Sequence, residues 1–284
     1  MSEAVDRDRS WRLAIAHTTT YRYSNHVRAS FNEVRVVPMS NARQSALETR
    51  MMTNPVAPLY QYEDYWGTHV VAFDVAGAHD QLRVGASALV ETSPVPELPR
   101  AGWKEVAGAR SRFAEFSNAS LHTAWDDEMA LAAEGLWRAD PVDTVEAVTG
   151  FVGDALEYAP GTTGVHTSAV EVWRTSQGVC QDFSHVSLAL LRSLGIPARY
   201  VSGYLHPEEG AALGREAIGE SHAWVEAWTG DWWGIDPTNG VQAGPRHVVV
   251  AHGRDYADVP PVKGIYAGTA EDDLTVEVRI TRVA

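Results

Sequence analysis

From Trp11 onwards apolar and polar residues alternate, and Leu13, Ile15, His17, Thr19, Tyr21 and Tyr23 fall on one face of an extended chain. Successive strand side chains point to opposite faces, and this run is rich in β-branched and aromatic residues, so it predicts a strand. Further strands are expected at Asn32–Val37, Gln44–Met52, His69–Val75 and Leu82–Glu91, broken by turn formers such as Asn54-Pro55 and Ala76-Gly77. Several short strands with no long helix among them predict an antiparallel β-sandwich over residues 1–99.

The stretch from Ser93 to Pro99 ends that pattern. Three of its seven residues are proline, which disfavours helix and central strand alike and reads as a stiff linker, so a domain boundary is expected there. Beyond it, over residues 100–284, the period becomes helical. Asp127–Trp137 is rich in Ala, Leu and Glu, and Thr144 is placed to cap a helix with Val145, Val148, Phe151, Val152 and Leu156 on one face. Ser168 and Glu171 form a capping-box pattern for a short helix through Trp173. Phe183, Val186, Leu190, Leu191 and Leu194 recur at helical spacing until Gly195-Ile196-Pro197, so Cys180 is expected at the start of a buried helix.

The period then returns to two. Ala198–Leu205, Ser221–Thr229 and Trp232–Asp236 read as strands, with a glycine-rich loop from His206 to Gly219. A last alternating run, about 274–283, is read as a strand that could return to the N-terminal sheet. The fold class expected is α+β.

Composition narrows the function classes. A formal charge of -14 argues against nucleic acid and against an anionic membrane surface, both of which favour a basic stripe. The first nine residues include five charged ones, with no apolar core of a leader, and no later apolar run is of spanning length. A cytoplasmic location is expected, and a single cysteine fits a reducing compartment.

That cysteine, Cys180, excludes an intramolecular disulfide and a multi-cysteine zinc site, leaving packing, a partial metal site or a reactive thiolate. A free cysteine is usually a buried structural residue. A helix N-terminus and a nearby imidazole, however, are the two surroundings that favour thiolate over thiol. His222 shares a strand face with Trp224, Glu226 and Trp228, aromatics that can exclude water. Asp236, 14 residues on, lies in Asp236-Pro237-Thr238-Asn239-Gly240. By itself this is turn chemistry, yet the hairpin at Thr229–Asp231 would carry Asp236 alongside His222. A Cys180/His185/His222 metal site is disfavoured by the aromatic shell and the missing fourth ligand. His185 and Asp182 read as structural.

Each residue alone is weak, but three segments in order are specific. Gly178-Val179-Cys180-Gln181-Asp182-Phe183, Ser221-His222-Ala223-Trp224-Val225-Glu226 and Ile235-Asp236-Pro237-Thr238-Asn239 resemble the transglutaminase-like superfamily of papain-type cysteine enzymes. The tail Gly253–Pro261 is similar to that of the bacterial branch with an extra N-terminal β domain. The resemblance implies a papain-like core with Cys180 as nucleophile, His222 as general base and acid, and Asp236 as orienting carboxylate. Trp173 and Gln177 are candidates for the oxyanion side-chain donor.

The implied reaction is acyl transfer at an amide of a peptide or other amide substrate through a thioester. Hydrolysis is favoured. Transfer to an amine and a non-catalytic peptide-binding module are the alternatives, and a further reading has the β domain dock a protein partner on which the enzyme acts. No Asp-x-Asp-x-Asp-Gly calcium loop is present, so neither a metal nor another cofactor is expected.

Overall fold

The structure, a computed structural model, describes residues 9–284. It opens with β1 (Trp11–Val34), β2 (Gln44–Asn54), β3 (Tyr60–Glu63) and β4 (His69–Thr92). Residues 93–102 carry no helix or strand. Then follow α1 (Trp103–Arg112), α2 (Ala114–Ser117), α3 (Asp127–Leu136), α4 (Pro141–Ala155), β5 (Glu157–Tyr158), α5 (Ala169–Thr175), β6 (Gln177–Gly178) and α6 (Cys180–Ser193). The chain finishes with β7 (Ala198–Leu205), β8 (Glu216–Trp228), β9 (Trp232–Asp236), β10 (Val241–Gln242), β11 (His247–Gly253), β12 (Val262–Tyr266) and β13 (Asp272–Arg282). No helix among the described residues is long and apolar enough to cross a membrane.

Two pairs of expected strands turn out to be two long ones. The run from Trp11 and the one ending near Val37 are both parts of β1, and the two runs either side of Ala76-Gly77 are both parts of β4. β1 and β4 pair antiparallel along their length, with register shifts between Arg22 and Val27 and between Val27 and Ala29. Gly77 is at φ +137, a conformation glycine adopts at little cost, so Ala76-Gly77 bends the strand without ending it. Tyr23 on β1 and Val71, Phe73, Val75, Leu82 and Val84 on β4 share one core cluster.

β13 pairs with β1 from Leu13↔Arg282 onwards and also with the first residues of β8. The sheet therefore runs without a break from the paired N-terminal strands β1 and β4 to β8 and β9. This explains why β8 starts at Glu216, within the expected loop: β13 offers its first residues a hydrogen-bonding partner.

The larger core is built around α6, which packs against α3, α4, α5, β7 and β8. From Asp182 to Arg192 every residue of α6 is buried. Its serines satisfy themselves inside the helix, Ser184 Oγ donating to the carbonyl of Cys180 and Ser187 Oγ to that of Phe183, each at 2.8 Å. α4 starts earlier than the expected cap at Thr144. Asp140 Oδ1 accepts from the N–H of Val142, with Pro141 in the first turn, the combination helix starts prefer. Thr144 is instead a buried residue whose hydroxyl donates to the carbonyl of Asp140.

Candidate active site

Cys180 is the first helical residue of α6 and is half-buried. Its N–H is among the first of the helix, where no intrahelical carbonyl is available. The turn before it is held by Asp182. Oδ2 of Asp182 accepts from the N–H of Val179 at 2.8 Å and from Thr163 Oγ1 at 2.6 Å, closing the helix start and tying down the preceding loop. A Cβ on Gly178 would lie 2.6 Å from that of Asp182, so glycine is required for this approach.

His222 and Asp236 come from adjacent antiparallel strands. The β8–β9 register pairs Trp228 with Trp232 and Val225 with Ile235, leaving Asp236 at the end of β9 within side-chain reach of His222. Nε2 of His222 donates to Asp236 Oδ2 at 2.7 Å. Since that nitrogen carries its proton to a carboxylate, Nδ1 is the one left for another partner, and Cys180 is close enough to act on the ring's charge. The structure thus brings Cys180, His222 and Asp236 into one chain of contacts.

The two readings of Asp236 are its two oxygens. Oδ1 makes the turn, accepting from the N–H groups of Thr238 and Asn239 at 3.0 and 3.2 Å. Oδ2 faces the histidine and accepts also from Asn239 Nδ2 at 2.7 Å and from Nε2 of His247 at 3.2 Å. Asp236 is fully buried. Burial opposes its charge, and the bonds from His222 and His247 outweigh it, holding the carboxyl below the usual carboxylate range. Burial likewise opposes a charged His222. The hydrogen bonds and charges of Asp236 and Cys180 override it and raise the imidazole to about 10.

Trp224, buried two residues from His222, lies at 6.2 Å from its ring and shields the pair. Gly203 is opposite His222 on β7. A Cβ there would fall 2.1 Å from the carbonyl of Val248 and 2.6 Å from the Trp224 ring, so glycine lets the indole lie against the sheet.

Trp173 and Gln177 have other partners. Trp173 Nε1 donates to Glu128 Oε1 at 3.1 Å and Gln177 Nε2 to Glu157 Oε2 at 3.0 Å. His185 turns away from the thiol, its Nε2 accepting from the N–H of Tyr256 at 3.2 Å and its ring stacked on His122. The residue that sequence reasoning missed is His247. It follows Asp236 by 11 positions and opens an apolar run, with nothing local to mark it.

Donor atoms of His222, Asp236 and His247 lie within 4.8 Å of one another, a spacing a metal could use. Both imidazole Nε2 atoms already point protons at Asp236 Oδ2, so hydrogen bonds account for the cluster.

A cleft of about 400 Å³ opens beside His222 and Asn239, with Tyr158, Leu205, Pro207 and Ile218 along it.

Residues 13–91 match the family model for the bacterial transglutaminase-like N-terminal region, and residues 130–237 that for the transglutaminase-like superfamily core. An uncharacterized protein of Mycobacterium leprae is 44% identical over 278 residues, covering 96% of this chain and 100% of that one. Over 100 residues the chain is 32% identical to a protein-glutamine gamma-glutamyltransferase of Pseudomonas aeruginosa, a match covering 33% of this chain and 14% of that protein. A solved structure of a candidate cysteine protease from Cytophaga hutchinsonii shares the fold, with a TM-score of 0.75 and 23% identity over 95% of this chain and 90% of that one. With both family models met in order, the chain belongs to the transglutaminase-like superfamily, in the bacterial branch that carries its own N-terminal region.

Proposed function

We propose that the protein is a cysteine-dependent amidase or peptidase, with Cys180 as nucleophile, His222 as general base and acid, and Asp236 as the carboxylate that orients it. The observation that carries this reading is the bond from His222 Nε2 to Asp236 Oδ2 at 2.7 Å, which leaves Nδ1 for Cys180, a group that also acts on the ring's charge. An imidazole raised to about 10 is protonated at neutral pH and has a proton to give to a leaving group. The thiolate adds to an amide carbonyl, and the N–H of Cys180 at the start of α6 is placed to meet the developing oxyanion. His222 then gives its Nδ1 proton to the leaving amine, and the C–N bond breaks to leave a thioester. Water, deprotonated by the same nitrogen, adds to the thioester carbonyl, and the C–S bond breaks to release the acid and restore the thiolate and imidazolium.

Hydrolysis is favoured because the cleft is open. Tyr158 and Ile218 along it are 47% and 83% exposed, which supports access of water to the cleft beside His222. The alternative, transfer of the acyl group to an amine, has the support of the partial match to the Pseudomonas aeruginosa glutamyltransferase.

Mass spectrometry after incubation with a peptide and amide library, with and without a primary amine, tests both. The expected result is hydrolysed product from the wild type and none from Cys180→Ala. Amine adducts in place of acids would make the protein a transferase, and activity surviving in Cys180→Ala would exclude the proposed nucleophile.

A further inference from the structure

His247 opens β11 and is buried, and none of the chemistry above uses it. Its Nδ1 lies 3.2 Å from the backbone nitrogen of Gly244. A backbone N–H can only donate, so Nδ1 accepts and the ring proton sits on Nε2. That proton is aimed at Asp236 Oδ2, 3.2 Å away. The imidazole also stands edge-on to Trp224, with centroids 5.2 Å apart and planes at 73°. His247 is thus a fixed, neutral donor. A second ring proton would set Nδ1–H against the N–H of Gly244, and burial independently holds this imidazole below its ordinary value.

Three donors therefore converge on one oxygen: Nε2 of His222, Nδ2 of Asn239 and Nε2 of His247. Donors that share an acceptor divide its charge, so each weakens the hold of the others. A neutral donor does this without repelling the His222 imidazolium. The charged and titratable groups acting on the two histidines are Cys180 on α6, Asp236 on β9 and Arg246 next to His247.

We propose that His247 is a positioning residue for acyl transfer: by donating Nε2–H to Asp236 Oδ2 it fixes the carboxylate and draws charge from the Asp236–His222 bond. Without that donor, the carboxylate would hold the imidazolium more tightly and His222 would release its proton less readily to a leaving amine. The inference rests on the reading of Cys180, His222 and Asp236 given above.

The experiment follows alkylation of Cys180 by iodoacetate against pH, without substrate, in the wild type, His247→Leu, His247→Asn and His247→Gln. Iodoacetate is an anion, so it reacts fastest while thiolate and imidazolium coexist, and the alkaline fall of the rate reports loss of the His222 proton. Glutamine carries an N–H close to the place of Nε2, whereas asparagine carries one in the place of Nδ1, too short to reach Oδ2.

The expected result is an alkaline limit raised by about half a pH unit in His247→Leu and His247→Asn, a roughly threefold change in the proton equilibrium, and restored in His247→Gln. If His247→Leu does not fold, His247→Asn carries the comparison. A limit that is unmoved or lowered, or a glutamine variant that behaves as the asparagine one does, would overturn the role of His247. Failure of the underlying reading looks different, since the wild type itself would then show no reactive thiolate below pH 8.

Discussion

At the scale of single residues, the site depends on how one carboxylate is used. Asp236 gives one oxygen to the turn and the other to His222, so it sets both the backbone path and the ring orientation. Its removal should act on His222 in the opposite sense to loss of His247. In Asp236→Ala a buried imidazolium loses its counter-charge, the raised pKa of about 10 collapses, and the alkaline limit of Cys180 alkylation moves down. Amide turnover should fall by about 100-fold or more, the scale of losing an orienting group in a triad. An alkaline limit unchanged in Asp236→Ala would mean that the carboxylate serves the turn alone. The residue identities of this trio were legible from three short motifs. Its fourth member, His247, was not, because what makes it a donor to Asp236 is a bond from Gly244 and a strand brought in from elsewhere in the sheet.

At the scale of elements, the start of α6 is the most constrained point. Gly178, Val179 and Asp182 fit together only because position 178 has no side chain, and the carboxylate of Asp182 closes the helix while holding Thr163. Gly178→Ala would push a methyl group into Asp182 with no empty space to receive it. A loss of about 1–3 kcal/mol is expected, the range for overpacking a filled interior, measured as a shift in the denaturant midpoint. Alkylation of Cys180 should slow as well, since the same turn aims the sulfur. Unchanged stability would show that the helix start is slack. Sequence periodicity placed this helix well, since its apolar repeat ends at Gly195-Ile196-Pro197. It misplaced the start of α4, where Asp140-Pro141 outweighed Thr144, and it divided β1 and β4, because a bend inside a paired strand carries the same residues as a turn.

At the scale of the whole molecule, the N-terminal strands and the core are joined through buried polar contacts as well as through the sheet. Tyr204 on β7 donates its hydroxyl proton to the carbonyl of Val36 at 2.7 Å and accepts from Nδ1 of His17 on β1 at 3.0 Å, while Thr19 bonds Nε2 at 2.7 Å. Burial lowers the His17 imidazole to about 4. Between pH 6.5 and 4 the unfolded chain therefore binds a proton that the native state refuses, and stability falls as the pH falls through that window. At pH 5 the wild type should have lost about 2 kcal/mol, relative to pH 7, that His17→Gln retains. Urea denaturation of both proteins at the two pH values measures the difference, and equal losses would remove His17 as the cause. The sequence by itself determined the alternation of the strands, the amphipathic helices and the order of Cys180, His222 and Asp236, because these depend on local period and on short motifs. Only the tertiary structure decided that β13, which returns to the N-terminal sheet as its alternation suggested, also pairs with β8, that Trp173 and Gln177 pair with Glu128 and Glu157, and that His247 shares the oxygen held by His222. Those outcomes depend on which backbone edges and buried acceptors find each other across long separations in the chain, and no local pattern encodes them.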